Sequence, residues 1–303
     1  MTQQPPVCDY EGSTYQATFW DTGERAYEDG AEAVALRALL PTSGRLLLEV
    51  GAGAGRNTPR YSGFEQVVLM DYSRTQLEQA QKRLGASKRY IYVAADAYRM
   101  PFAPSSFDAA TMIRVIHHMA DAPAALAQIE GVLAPGATLI LEYANKLNLK
   151  AMARHALGRQ SWSPYSPEPV EFAALNFDFH PRTMREWLSR AGFSIERVRA
   201  LSYFRVGILK RLLPTALLVG LDAFLQPTGA WATFSPSVFV KARKGNAPTP
   251  PSIDGQLRFR CPHCHHVGLQ DKGPQLDCPQ CGAGWSFRDG IYDFKEPIAP
   301  PDR

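Results

Sequence analysis

Apolar runs and helical stripes alternate along the first part of the chain. The run Arg45-Leu46-Leu47-Leu48-Glu49-Val50 predicts a strand that ends in glycines, and Gln66-Val67-Val68-Leu69-Met70 predicts a second, closed by Asp71. Residues 75–84 put Leu77, Ala80 and Leu84 on one face of a helix. Residues 90–95 predict a third strand, closed by Asp96, and residues 107–116 a fourth. A helix over 122–133 is stopped by Pro135-Gly136, and a fifth strand follows over 138–143. Apolar strands without period-two alternation suit a parallel sheet covered on both faces. Strand and helix in turn predict an α/β fold, a doubly wound Rossmann-like sheet.

Beyond residue 144 the pattern loosens. Residues 145–179 are mixed and contain Pro164, Pro167 and Pro169. After them, 181–191 predict a helix, 193–204 a strand, 209–225 an apolar helix and 236–244 a last strand. Gly245-Asn246-Ala247-Pro248-Thr249-Pro250-Pro251-Ser252 is a break in composition that reads as a linker. The chain therefore divides into a domain over 1–244, a linker over 245–256, a small module over 257–295 and a tail over 296–303. A module of that size has too little core to fold alone and needs a staple.

The overall make-up is that of a globular protein: 303 residues, 45% hydrophobic and 20% charged, which excludes wholesale disorder. The net charge of +4 excludes a polybasic tail. Locally, however, residues 145–211 hold 12 Lys/Arg against 5 Asp/Glu, a balance that suits an anionic substrate. Met1-Thr2-Gln3-Gln4-Pro5-Pro6 has neither the basic nor the apolar part of a signal peptide, so a cytoplasmic protein is expected. No membrane span is expected either, because the apolar stretch 212–225 contains Pro214 and Asp222 and falls short of about 20 residues. Of the five Cys, one is at position 8 and four lie between 261 and 281, which in a reducing compartment points to a metal site.

The first strand runs into Gly51-Ala52-Gly53-Ala54-Gly55. Glycines there permit a sharp turn and let a ligand approach the backbone. The spacing is neither the dinucleotide G-x-G-x-x-G, which disfavours a nicotinamide oxidoreductase, nor a P-loop. Asp71 follows Gly51 by twenty residues at a strand end, where a carboxylate accepts both hydroxyls of a ribose. Asp96 ends the next strand, where a carboxylate accepts from an adenine amino group.

In this order the motifs resemble the class I S-adenosylmethionine (SAM)-dependent methyltransferases, in the broad branch that methylates quinones and metabolites. The resemblance covers 46–142 and rests on Glu49 to Gly55, Asp71-Tyr72-Ser73, Ala95-Asp96-Ala97, Ser106-Phe107-Asp108 and Val132-Leu133-Ala134-Pro135-Gly136, with Ala137 where a second glycine is usual. It implies a seven-stranded sheet with an antiparallel last strand and SAM as co-substrate. Glu49, Gly51, Gly53 and Gly55 would line the methionine part, Asp71 the ribose, and Asp96 with Ala97 the adenine, with Tyr72 in the same cofactor site. Arg114 would border the same site.

Methyl transfer from a sulfonium needs alignment of the reactants, and a base only if the acceptor must lose a proton. His117 and His118 after the fourth strand are the candidate catalytic residues, with Tyr143 and His180 further off. Trp20, Arg25 and Tyr27 precede the first strand and are candidates to close over the cofactor. No Asp/Asn-Pro-Pro-Tyr/Phe follows the fourth strand, which disfavours the amino-methylating enzymes with that motif. Cytosine C5 methylation needs a Cys nucleophile and is excluded, since no Cys lies between positions 8 and 261. A small-molecule acceptor is favoured. The alternatives are a methyltransferase of RNA or protein, and a non-catalytic SAM-binding scaffold that recruits partners through its C-terminal module.

Cys261-Pro262-His263-Cys264 and Cys278-Pro279-Gln280-Cys281 form two C-x2-C knuckles. Four thiolates at this spacing suit a closed, structural Zn²⁺ site, with His263, His265 and His266 as alternates. Residues 257–294 are similar to the small zinc-binding activators of methyltransferases, through the knuckles and Gly284-Trp285-Ser286-Phe287-Arg288-Asp289-Gly290-Ile291. That resemblance implies a zinc ribbon that docks on its own methyltransferase domain. The six Lys/Arg and seven Asp/Glu of 245–303 do not favour nucleic-acid binding.

Overall fold

A run of three leucines opens the centre of the sheet. In β1 (Gly44–Val50), Leu46, Leu47 and Leu48 are all fully buried, so both faces of the strand are covered. Leu46, Leu48 and Val50 enter one apolar layer and Leu47 the other, as the period of two requires. The computed structural model describes residues 5–14, 16–246 and 257–300. Residues 1–4, on which part of the signal-peptide reading rests, lie outside them. So do 247–256 of the expected linker and 301–303 of the tail.

Ahead of β1 runs α1 (Ala26–Leu39), with Tyr27, Ala31, Ala35, Leu36 and Leu39 buried. Burying the larger of these stabilises the packing by roughly 2 kcal/mol each. Next come β2 (Phe64–Asp71), α2 (Arg74–Leu84), β3 (Tyr90–Ala94) and β4 (Phe107–Met112). The α2 helix starts where the Ser73 hydroxyl accepts from the Gln76 N–H, and Gly85 ends it. Then follow α3 (Ala122–Val132), capped by Asp121, and β5 (Leu133–Ala144).

The loose region after β5 forms α4 (Leu149–Ala156) and a hairpin of β6 (Val170–Ala173) and β7 (Asn176–Asp178). It leads into α5 (Pro181–Arg190) and β8 (Phe193–Leu201). Two helices, α6 (Gly207–Leu212) and α7 (Thr215–Leu225), precede β9 (Ser237–Lys244). The C-terminal module adds the short strands β10 (Gln270–Asp271), β11 (Gln275–Asp277), β12 (Gly284–Arg288) and β13 (Ile291–Asp293).

The first 244 residues contribute seven strands in the order β3-β2-β1-β4-β5-β9-β8, with β9 antiparallel to both neighbours. The fold is therefore the α/β, doubly wound, Rossmann-like sheet expected. The C-terminal strands extend this sheet to 11 by pairing β13 in parallel with β3. The Ala103 N–H donates to the Arg258 carbonyl at 3.0 Å and the Arg260 N–H to the Pro101 carbonyl at 2.9 Å. Trp285 and Phe294 of the module are buried in the same apolar layer as Leu46 and Leu48.

Two expected strands end early and one expected helix is divided. The fourth strand stops at Met112 instead of 116, because Arg114 takes a left-handed φ of +59° and turns its N–H to Glu142. The strand over 193–204 stops at Leu201, followed by Ser202 at φ +67°. The apolar helix over 209–225 is two helices, parted at Pro214, whose ring cannot sit inside one. Among the described residues no helix is long and apolar enough to cross a membrane.

Candidate active site

A crevice opens at the C-terminal ends of the central strands, where parallel α/β sheets place their ligands. Of the residues singled out for a cofactor, Glu49, Gly51, Gly53, Asp71, Tyr72, Asp96, Ala97 and Arg114 line it together. Gly55 sits behind the wall, against Ala80, Leu84 and Thr58. Gly51 has φ +67°, and a Cβ there would lie 2.3 Å from Val115, so no other residue fits. The N–H groups of Gly51 and Ala52 both donate to the Met70 carbonyl, which ties the turn to β2.

Asp71 and Asp96 are held in place by backbone N–H groups and Glu49 by side-chain hydroxyls. Asp71 Oδ2 accepts from the Gly53 N–H at 2.8 Å and Oδ1 from the Ser73 N–H at 2.9 Å. Burial raises the Asp71 pKa against those two bonds. Asp96 is buried, and its Oδ1 accepts from the Tyr98 N–H at 2.8 Å. Glu49 is buried too; it accepts from the Thr58 hydroxyl at 2.6 Å and the Tyr61 hydroxyl at 3.1 Å. Burial pushes the Glu49 carboxyl up to about 7 despite both hydroxyls. A carboxyl so poised takes its charge when a cation is set beside it.

The N-terminal segment roofs the crevice. Val7, Cys8, Tyr10, Gln16 and Trp20 all line it. Glu11 fixes the segment by accepting from the Arg74 and Thr75 N–H groups at the start of α2, and Gln76 and Gln79 donate to the Ser13 carbonyl. The Trp20 ring lies over the Arg56 guanidinium at 3.7 Å and that of Arg114 at 4.9 Å. Both arginines bond the buried Glu32. Burial alone would raise Glu32, but Arg114 and Arg56 hold it below the usual carboxylate range. Of the three candidates for closure, then, Trp20 meets the crevice and Arg25 the neighbouring cavity. Tyr27 is buried elsewhere, donating to Asp222 of α7 at 2.5 Å.

That neighbouring cavity measures about 950 Å³ and lies between β5, α4, the β6–β7 hairpin and the stretch after β8. Tyr10, Arg114 and His118 line both spaces, so the two meet there. His118 Nδ1 is 2.9 Å from the Leu175 carbonyl, which only accepts. The proton therefore belongs on Nδ1, and Nε2, 3.3 Å from the Tyr10 hydroxyl, is the acceptor. Burial lowers the His118 pKa, against the Leu175 bond. His117 lies in the cavity wall, and burial, then His118 and Arg114, depress it far below the ordinary value. Of the more distant base candidates, His180 caps α5 by accepting from the Arg182 N–H, and Tyr143 lines neither space.

At the far edge of the sheet the Sγ atoms of Cys261, Cys264, Cys278 and Cys281 lie within 4.8 Å of one another. Cys261 and Cys281 are 3.8 Å apart, Cys264 and Cys278 3.4 Å. Sulfurs at about 2.3 Å around a tetrahedral zinc would stand about 3.8 Å apart, so the donor set fits that ion. His263, His265 and His266 are not in the cluster.

Residues 48–141 match the family model described as a methyltransferase domain. An O-methyltransferase of Penicillium expansum is 32% identical over 147 residues, or 45% of this chain and 52% of that enzyme; the chain thus spans about half of it. The ubiquinone/menaquinone biosynthesis C-methyltransferase UbiE of Saccharophagus degradans is 32% identical over 176 residues, or 50% of this chain and 68% of that one. A solved SAM-dependent methyltransferase from Mesorhizobium loti shares the fold, with a TM-score of 0.53 and 22% identity over 72% of this chain and 100% of that chain.

Proposed function

The chain belongs to the SAM-dependent methyltransferases, and from that premise we propose that the glycine crevice holds SAM and the adjoining cavity a small-molecule acceptor. The observation that carries this reading is the shared border: Tyr10, Arg114 and His118 line both spaces. A methyl group passing between two ligands must cross at such a border. Names of relatives that modify oxygen or quinone carbon favour a small molecule.

Asp71 would take the ribose hydroxyls, since each of its oxygens keeps a lone pair beyond the bond it already accepts. Asp96 and Ala97 would take the adenine, and Tyr72 would line the same crevice. Glu49 would face the methionine end, where an ammonium draws it into the charged form. Bound there, SAM supplies a methyl group on a positive sulfur that departs as a neutral thioether. His118 and Tyr10 would handle the acceptor. A hydroxyl placed at the border donates to the Tyr10 oxygen, the Tyr10 proton passes to His118 Nε2, and Leu175 holds the imidazolium through Nδ1. The low pKa of His118 keeps Nε2 free to accept at neutral pH.

The division into a methyltransferase domain over 1–244 and a zinc ribbon over 257–295 fits this reading. We infer that the ribbon, with Zn²⁺ on its four Cys, braces β3, the strand that leads to Asp96. Pairing of β13 with β3 supports that role. RNA is the second reading, favoured by the excess of basic residues over 145–211.

Incubation with methyl-labelled SAM and a cell extract tests the acceptor class. Label in a small, nuclease- and protease-resistant product is expected. Nuclease-sensitive label would instead establish the second reading.

A further inference from the structure

We propose that the acceptor is a small aromatic acid, whose carboxylate, phosphate or sulfonate rests on the cationic wall of the large cavity while its hydroxyl is presented at the border for methylation. The inference rests on the reading of that cavity as the acceptor site and adds the charge of what enters it.

Lys150 and Arg154, with Arg159 just beyond α4, line the cavity, and none of the three makes an ion pair among the described residues. Lys150 and Arg154 stand four residues apart on one helix face, where like charges repel and weaken a helix. Only Ala151 of α4 is buried, so little packing offsets that repulsion. An anion between the cations removes the repulsion and gains charge-assisted hydrogen bonds. Arg205, on the same wall, has its one ion-pair contact at 3.8 Å, to Glu28.

Two carboxyls line the cavity, Glu142 and Asp178, and its cations outnumber them. Glu142 already accepts from the Arg114 N–H and the Ser237 hydroxyl, and burial raises its pKa. Burial pushes Asp178 up to about 6, with Arg205, Arg154 and Lys146 pulling the other way. The rest of the wall suits a flat ring: Phe19, Trp162, Phe172 and Tyr203 all line it.

Two further atoms indicate that the occupant is polar as well. His117 Nδ1 and Ser202 Oγ face no solvent and meet no hydrogen-bond partner among the described residues. Both residues line this cavity. A sealed polar group left unsatisfied costs roughly 1–3 kcal/mol, which a ligand oxygen recovers once the side chain turns towards the cavity. The cations line a concave wall, which favours a small anion over a polymer lying across an open surface.

Two fluorescent probes of one ring system test the charge preference on the intact protein with S-adenosylhomocysteine present. These are 8-anilinonaphthalene-1-sulfonate and N-phenyl-1-naphthylamine, which lacks the sulfonate. The sulfonate is expected to bind about tenfold tighter or better, and the double substitution Arg154→Gln/Arg159→Gln to abolish the difference. The affinity of the neutral dye and that of S-adenosylhomocysteine, read by calorimetry, should stay unchanged in that variant. Equal affinity of the two dyes, or sulfonate binding that ignores the substitutions, overturns the proposal. In turnover with labelled SAM and the small-molecule fraction of an extract, the labelled product should be retained by an anion exchanger at neutral pH. Label in the flow-through overturns the proposal and leaves the methyltransferase reading intact. A chain that fails to bind S-adenosylhomocysteine strikes the cofactor reading instead, and the dye comparison remains legible.

Discussion

The crevice and the cavity are built on different principles although they share a wall. In the crevice, Asp71 and Asp96 stand at strand ends and are fixed by backbone N–H groups, Asp71 by Gly53 and Ser73 and Asp96 by Tyr98. The cavity is assembled largely from segments between the later strands, namely α4, the β6–β7 hairpin and the stretch after β8. It keeps polar atoms without partners, such as His117 Nδ1 and Ser202 Oγ. A site preset by the sheet suits a ligand that the family shares, whereas a site built from connecting segments suits one particular to this protein. Strand ends are held on both sides by neighbours, so they tolerate little change.

This contrast can be broken most directly at Asp71. Asp71→Ala should weaken SAM binding about 100-fold in calorimetry, through loss of two hydrogen bonds to a charged group, with the circular dichroism unchanged. Sulfonate dye binding in the cavity should not move. If SAM affinity survives, the ribose assignment is wrong.

A second substitution acts at the border. Tyr10→Phe removes the hydroxyl that faces His118 Nε2 and should lower kcat about tenfold while SAM affinity changes little. An unaltered kcat would take Tyr10 out of the proton path.

The ribbon sharpens the comparison, because it touches the crevice side alone. Cys278→Ser should release the zinc, expected at about one ion per chain, and free β13 from β3. SAM affinity should then fall severalfold and the cavity's dye affinity stay the same. Full zinc content in the variant, read by atomic absorption, would refute the four-Cys assignment.

The smallest effect concerns Glu49. Its folded pKa is raised to about 7 by burial, so about half the molecules carry the proton at pH 7. Binding a cation favours the ionised form and lowers that pKa. SAM binding at pH 7 should thus release about half a proton from this group, and affinity should decline as pH falls below 7. Calorimetry in buffers of different ionisation enthalpy measures the release, and Glu49→Gln should abolish that share of it.

Much of the crevice was legible from residue order. Continuous apolar runs located β1 to β3, and the acidic residues at their ends pointed to a nucleoside. The roof was less legible. Glu11, Tyr10 and Cys8 lie in a segment without periodicity, and only contact with α2 shows what they do. The α1 helix did leave a signal, since Tyr27, Ala31, Ala35 and Leu39 recur every four residues, but nothing local tells that Glu32 on it will pair with Arg56 and Arg114. His117 and His118 were legible as a pair, yet their division of labour depends on Leu175 and Tyr10, 57 and 108 residues away.

The amino-acid order alone determined the Rossmann-like core, the glycine turn with its two acidic partners and the four-Cys module, because each is encoded in short-range spacing: the length of an apolar run, the φ a glycine permits, the reach of a C-x2-C knuckle. Tertiary structure alone decided that the module extends the sheet at β3, that Tyr10 and Glu11 hold the N-terminal segment over the crevice, and which basic residues of 145–211 share one wall. Those arrangements arise from packing and charge between residues far apart in the chain, and such pairings leave no mark on local pattern.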